Sequence, residues 1–156
     1  MKGNDGTGNI VERDEWQTPK KLFEQLNNQY NFVFDCCANK FNTKCLDWSS
    51  NFEKYENYTT HNSWMNPPFS KTKEMFKHFF KVIKRGVAIF RNDNMETKIW
   101  QDIILKNATW IFIFKGRVAY EGMKGKGSRF PSALIGFNIP QPKGLKGTLL
   151  ITNLRK

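Results

Sequence analysis

Residues 63–90 constrain this chain more than any other stretch: a short apolar strand, the rigid turn Asn66-Pro67-Pro68-Phe69, an amphipathic helix and a second strand, in that order. Within 71–85, Met75, Phe76, Phe79, Phe80 and Ile83 fall at helical spacing and form one apolar stripe, with lysines on the opposite face. Gly86 then reads as a helix stop and 87–90 as the next strand. A helix with a single apolar face must lie on something, and strands on either side of it supply a sheet. The expected class is α/β.

The alternation continues in both directions. Thr18 is placed to cap a helix with Pro19 at its first position and Leu22, Phe23 and Leu26 on one face. Residues 31–35 read as a short buried strand ending on Asp35, whereas 36–61 are polar with few periodic apolar positions. Downstream, a helix over 97–106 turns Ile99, Trp100, Ile103 and Ile104 inward. Strands are expected at 110–114, 118–120 and 133–137, with one more short strand at 148–152. No repeat or linker interrupts the series. The pattern predicts a mostly parallel sheet with helices on both faces, one domain over 14–156 and a loose polar tail over 1–13. In such sheets ligands sit beyond the carboxyl ends of the strands, and Asp35 and Asn66 both fall at such ends.

Charge is divided unevenly. Residues 1–62 carry 7 basic and 9 acidic side chains, and residues 63–156 carry 18 and 5, out of a net +11. The positive field thus begins where the Asn-Pro-Pro-Phe turn begins, and a field of that kind gathers polyanions. Cys36, Cys37 and Cys45 form no even disulfide framework, and even with His61 they lack the spacing of a zinc site; they read as reduced thiols and no metal is expected. No apolar run is long enough to cross a bilayer and the first residues form no secretory signal, so the chain reads as cytoplasmic, with no membrane partner.

The tetrapeptide suits the activation of a planar exocyclic amine. The amino group of adenine is a poor nucleophile because its lone pair is delocalised into the ring. Acceptors aimed at its two hydrogens favour the tetrahedral geometry in which the pair is available. The Asn66 side-chain oxygen and the Pro67 carbonyl can be those acceptors. Consecutive prolines fix φ and hold the carbonyls in a stiff direction, and Phe69 offers a face for a base that has left its stack.

With these residues in view, the chain resembles the phage-type Dam family of DNA adenine methyltransferases over roughly 14–137. The resemblance is carried by Asp14-Glu15-Trp16-Gln17-Thr18-Pro19, by Phe34-Asp35-Cys36-Cys37-Ala38, by Asn66-Pro67-Pro68-Phe69, and by Gly116-Arg117-Val118 with Pro131-Ser132-Ala133. It implies a Rossmann-like class I methyltransferase fold and methylation of the exocyclic amine of adenine in DNA, with S-adenosylmethionine as donor. Catalysis then rests with Asn66, Pro67, Pro68 and Phe69. Trp16, Thr18, Pro19, Asp35, Cys36, Ala38 and Asn51 are expected at the donor. Asp35 has two roles open to it, beside the sulfonium and methionine amine or as an acceptor for a ribose hydroxyl. DNA contacts are expected from Arg91, Arg117, Lys124, Lys126, Arg129 and Ser132, with sequence discrimination left to loops of the core or to a second subunit of a homodimer. A role in shielding phage DNA from host nucleases, in the host cytoplasm, follows from the resemblance alone.

Two departures stand out. The segment 35–39 has no glycine, and Asn51-Phe52 occupies the place where relatives carry an acidic residue near the donor's adenine, with Asp47 as a near alternative. Because the tetrapeptide alone also serves methyltransferases of RNA bases and of protein glutamine, those acceptors remain open. So does a DNA-binding chain that keeps the fold without activity.

Overall fold

The computed structural model describes residues 14, 16–56, 59–122 and 130–152. Helix α1 (Lys20–Tyr30) leads to strand β1 (Phe34–Asp35), β2 (Asp47–Trp48), a 3-10 turn (Phe52–Lys54) and β3 (Thr59–Met65). A second 3-10 turn (Phe69–Lys71) opens α2 (Thr72–Val82), followed by β4 (Ile83–Arg91). A π-helical stretch (Ile99–Ile104) with one α-turn (Leu105–Asn107) precedes β5 (Trp110–Phe114), β6 (Ser132–Phe137) and β7 (Gly147–Ile151). The tail expected over 1–13 lies outside the described residues.

The strands form one sheet in the order β2-β1-β3-β4-β6-β5-β7. Its β2-β1-β3-β4 part is parallel, whereas β6 pairs antiparallel with both β4 and β5, and β7 antiparallel with β5. The sheet is therefore mixed, and the expectation of a mostly parallel one is corrected: among the described residues the antiparallel ladders together hold more of the paired positions than the parallel ones. The reason is connectivity. A parallel neighbour requires a crossover, usually helical, but no helix is assigned among the described residues between β5 and β6, so an antiparallel return is open to the chain.

Alternation along the strands feeds two cores. Ala88 and Phe90 of β4 join Met75, Phe76, Phe79 and Val82 of α2 and Trp100, Ile103 and Ile104 on one face. Val87 and Ile89 join Phe23, Leu26 and Tyr30 of α1, with Trp64 and Trp110, on the other. Each such side chain contributes about 2 kcal/mol by leaving water, against a few tenths for differences in helix propensity. The stripe, not propensity, holds α2 in place.

Several boundaries depart from expectation for identifiable reasons. Thr18 does not cap α1; the N-cap position belongs to Pro19, and the Lys20 N–H donates to the Glu121 carboxylate at 2.7 Å. Gly86 does not stop α2, which ends at Val82; the glycine lies inside β4, where a Cβ would stand 2.8 Å from the Ser63 carbonyl oxygen. Residues 118–120 are not a strand. Val118 and Tyr120 point into the α1-side core while Ala119 is exposed, so the alternation comes from lying across a face of the sheet. Only the neighbouring Glu121 makes an isolated bridge, to Gln17.

Gly136 is tightly enclosed. It faces Trp110 on β5, and an added Cβ would lie 1.9 Å from the buried indole, whose Nε1 donates to the Ile139 carbonyl at 2.7 Å. Overpacking of this kind costs about 1–3 kcal/mol or more. Gly136→Ala is expected to lower the thermal midpoint by at least about 3 °C, read by circular dichroism; an unchanged midpoint would contradict the packing described.

Candidate functional site

The chain leaves β1 toward β2 on one side and returns across it to β3 on the other, so β1 and β3 are neighbours at a point where the strand order reverses. Crevices at such points receive ligands in α/β sheets. The carboxyl ends here are Asp35 on β1 and Met65 on β3, and Asn66-Pro67-Pro68 follows at once. β3 ends here because Pro67 and Pro68 donate no N–H to a ladder.

A strap formed by Asp14 and Trp16–Thr18 crosses this crevice. The Asn66 Nδ2 donates to the Trp16 carbonyl at 3.4 Å and to Thr18 Oγ1 at 3.2 Å. One turn on, the Asp14 carboxylate accepts from the Ser70 backbone N–H at 2.9 Å and from its hydroxyl at 2.5 Å. Gln17 forms a bridge with Glu121 through two backbone hydrogen bonds and accepts from Lys44 Nζ at 3.4 Å. The strap therefore touches the turn on both sides of its prolines.

Two cavities open beside it. One, of about 270 Å³, is lined by Cys37, Ala38, Asn39 and Asn42 after β1, Ser50, Phe52 and Glu53 after β2, and Asn66, Pro68, Ser70, Lys71 and Met75. The other, of about 40 Å³, reaches Asp35, Trp16, Thr18 and Lys44. Asp14, Cys37, Asn42 and Asn66 line both, which makes them adjoining parts of one crevice.

Asp35 is 3% exposed. Burial pushes its carboxyl up to about 6, although the Lys44 backbone N–H at 2.9 Å, that of Cys37 and the Lys44 charge favour the ionised form. Glu53 is held below the usual carboxylate range by its hydrogen bond to Lys71 Nζ, at 3.1 Å. Acidic groups thus face the crevice from β1, from the segment after β2 and from the strap.

Of the residues expected at the donor, Ala38 lines the large cavity, and Thr18 and Asp35 the small one. Pro19 caps α1 away from both linings. Trp16 lines the small cavity, yet its ring is buried in an aromatic cluster, stacked on Tyr120 at 6.3 Å and edge-on to Phe69 at 5.7 Å. Cys36 is fully buried in the α2-side core, and burial raises its thiol well above the ordinary range; Cys37 stands at the cavity instead. Asn51 is exposed and off the lining, where Ser50, Phe52 and Glu53 stand in its place, and Asp47 faces the outer edge of the sheet with Trp48 and His61. Asp14, Ser70, Ser50, Glu53 and Lys71 were not singled out from the sequence as site residues. Asp14 alone gave a signal, as the first residue of the Asp-Glu-Trp-Gln-Thr-Pro segment. Among the described residues no group of three or more His, Cys, Asp or Glu is arranged for a metal.

The residues expected at DNA are scattered. Arg91 ends β4 with its guanidinium paired to Asp93 at 2.7 and 2.8 Å and lying 4.4 Å from the centre of the Phe130 ring. Arg117 is exposed beside Gly116, whose φ of 85° makes the turn after β5. Ser132 is corrected: it is fully buried and its hydroxyl meets the Tyr120 hydroxyl at 2.8 Å, so it presents nothing to a phosphate. Lys124, Lys126 and Arg129 lie outside the described residues. On α2, Lys73, Lys77 and Lys81 form an exposed basic row at four-residue spacing.

The model of one family, Dam, described as DNA N-6-adenine-methyltransferase, matches residues 7–134. No curated protein matches the chain. The family match spans the strap, both cavity walls, the Asn-Pro-Pro-Phe turn and β4, so the chain belongs to the Dam family of DNA N-6-adenine-methyltransferases.

Proposed function

We propose that this chain transfers a methyl group from S-adenosylmethionine to the exocyclic amine of an adenine that has been turned out of DNA into the Asn66–Phe69 loop. The observation that carries the reading is the anchoring of Asn66. Its amide nitrogen is engaged by the Trp16 carbonyl and Thr18 hydroxyl at the strand-order reversal, which leaves Oδ1 as the acceptor end of the side chain.

The crevice suits the donor. S-adenosylmethionine, when bound, supplies a methyl group on a positively charged sulfur. Asp14, Asp35 and Glu53 provide acidic groups for that charge and for ribose hydroxyls, while Phe52 and Met75 give an apolar wall for a purine. Asp35 keeps its two readings, beside the cationic part or on a ribose hydroxyl; in both the ionised carboxylate is the binding form.

At the acceptor, Asn66 Oδ1 and the Pro67 carbonyl draw the two amine hydrogens and localise the lone pair on nitrogen. A carbon–nitrogen bond forms as the carbon–sulfur bond breaks, and the methylated nitrogen releases one proton to water. Phe69, half-buried between Trp16 and Phe130, offers the purine an aromatic neighbour. The basic half of the chain, with the α2 lysine row, draws the phosphate backbone toward the crevice. Protection of phage DNA from nucleases is the biological role this activity fits.

Asn66→Ala removes one of two acceptors and is expected to lower radiolabelled methyl transfer to adenine-containing duplex DNA at least about 100-fold, with donor affinity in calorimetry within a few-fold of the parent. Transfer that survives the substitution would assign the chemistry elsewhere. RNA and glutamine peptides in the same assay test the other acceptors of such loops.

The buried Asp35 sets a pH dependence. Below about pH 4 it is protonated in both folded and unfolded chains. Between about 4 and 6 the unfolded chain loses the proton first, so stability falls as pH rises, by about 3 kcal/mol at most once the folded group ionises near 6. Denaturant titrations of the parent and Asp35→Asn are expected to diverge over that window, with the variant gaining relative stability. Donor affinity of the parent should rise as pH passes 6, and a flat affinity profile would remove Asp35 from the donor site.

A further inference from the structure

An amide side chain acts as an acceptor only if its oxygen faces the substrate, and something must choose that orientation. In Asn66 the choice is made by the strap. The Trp16 carbonyl can only accept, so the end of the amide facing it must be nitrogen. That contact is long, at 3.4 Å, and the shorter one is to Thr18 Oγ1 at 3.2 Å. Thr18 is 1% exposed and does not cap α1, although its sequence position suits a cap. Its hydroxyl is instead committed to Asn66 across 48 residues of chain. The strap itself is secured before Thr18 by the Asp14–Ser70 pair and the Gln17–Glu121 bridge, and after it by the Lys20 N–H donating to the Glu121 carboxylate at 2.7 Å, so the Thr18 oxygen is held from both directions along the chain.

We infer that Thr18 is a positioning residue for the transfer reaction: its hydroxyl, with the Trp16 carbonyl, locks the Asn66 amide so that Oδ1 is presented to the target amine. This rests on the proposed function and gives Thr18 a different task from the donor contact that the family resemblance implies. A hydroxyl can serve either end of an amide, so the Trp16 carbonyl chooses the nitrogen and the Thr18 hydroxyl holds the amide against that carbonyl. Without the hydroxyl, one weak contact opposes rotation, and the rotated form turns an NH2 toward the incoming NH2, which it cannot accept from. The loss therefore appears in kcat, with donor binding spared.

The test compares Thr18→Val, which keeps shape and removes the acceptor, with Thr18→Ser, which keeps the oxygen. Steady-state transfer from S-adenosylmethionine to adenine-containing duplex DNA is measured alongside donor affinity. Thr18→Val is expected to lower kcat roughly 10- to 100-fold with donor affinity within about threefold, and Thr18→Ser to retain most of kcat. An unchanged kcat in Thr18→Val, equal loss in both variants, or a fall in donor affinity matching the fall in kcat would overturn the inference. Solvent exchange of the Asn66 side-chain amide in 15N-labelled parent protein needs no variant: slow exchange is expected, and exchange as fast as in exposed asparagines would overturn it. Parent protein that methylates no adenine overturns the proposed function and this inference with it. An active parent with an indifferent Thr18→Val overturns this inference alone.

Discussion

The rest of the site depends on how the strap of Asp14 and Trp16–Thr18 grips the loop after β3. The sheet brings the ends of β1 and β3 side by side, but a sheet end by itself fixes only backbone. The two side-chain contacts at Asn66 and the Asp14 clamp on Ser70 fix the Asn66–Phe69 turn from either side of its prolines. Pro67 and Pro68 supply no N–H groups, and beside the Lys71 N–H bond to the Pro68 carbonyl at 3.1 Å the strap supplies the contacts that hold the turn. The strap also lines both cavities, so the element that holds the Asn66 amide is a wall of the crevice as well.

Electrostatics divide the molecule along the same line. The crevice walls carry Asp14, Asp35 and Glu53 against Lys44 and Lys71, the latter paired to Glu53, which leaves acidic groups for a cationic ligand, whereas the chain from residue 63 onward is strongly basic, which suits a polyanion. Arg91 stands between these regions, its charge shared with Asp93 and its plane lying over Phe130, and it ends the strand next to the Asn66 loop. In the proposed reaction, a donor with a positive sulfur takes the first region and a substrate with a phosphate backbone the second. Membership of the Dam family accords with that division.

Much of this was legible in the sequence because it rests on local patterns. The stripes of α1 and α2, the run 110–114 and the Asn-Pro-Pro-Phe turn at a strand end all declare themselves within a few residues. What stayed hidden is non-local. Strand β2 has two residues, too few for any periodicity, and it delivers Ser50 and Glu53 to the cavity where Asn51 was expected. An apolar strand such as β6 reads alike in either direction, so its antiparallel pairing depends on a partner the sequence does not name. Thr18 has the residue type of a helix cap, and only the proximity of Asn66 diverts its hydroxyl. Ser132 shares a motif with surface residues yet sits at the start of β6 beneath Tyr120.

The account stands on the identity of the atom that receives the methyl group. Expression in a host that lacks adenine methylation, followed by single-molecule sequencing of its DNA, reads that atom directly. N6-methyladenine at a defined sequence, present with the parent chain and absent with Asn66→Ala, is the result the structure leads us to expect. Unmodified DNA, or methylation confined to cytosine, would contradict it.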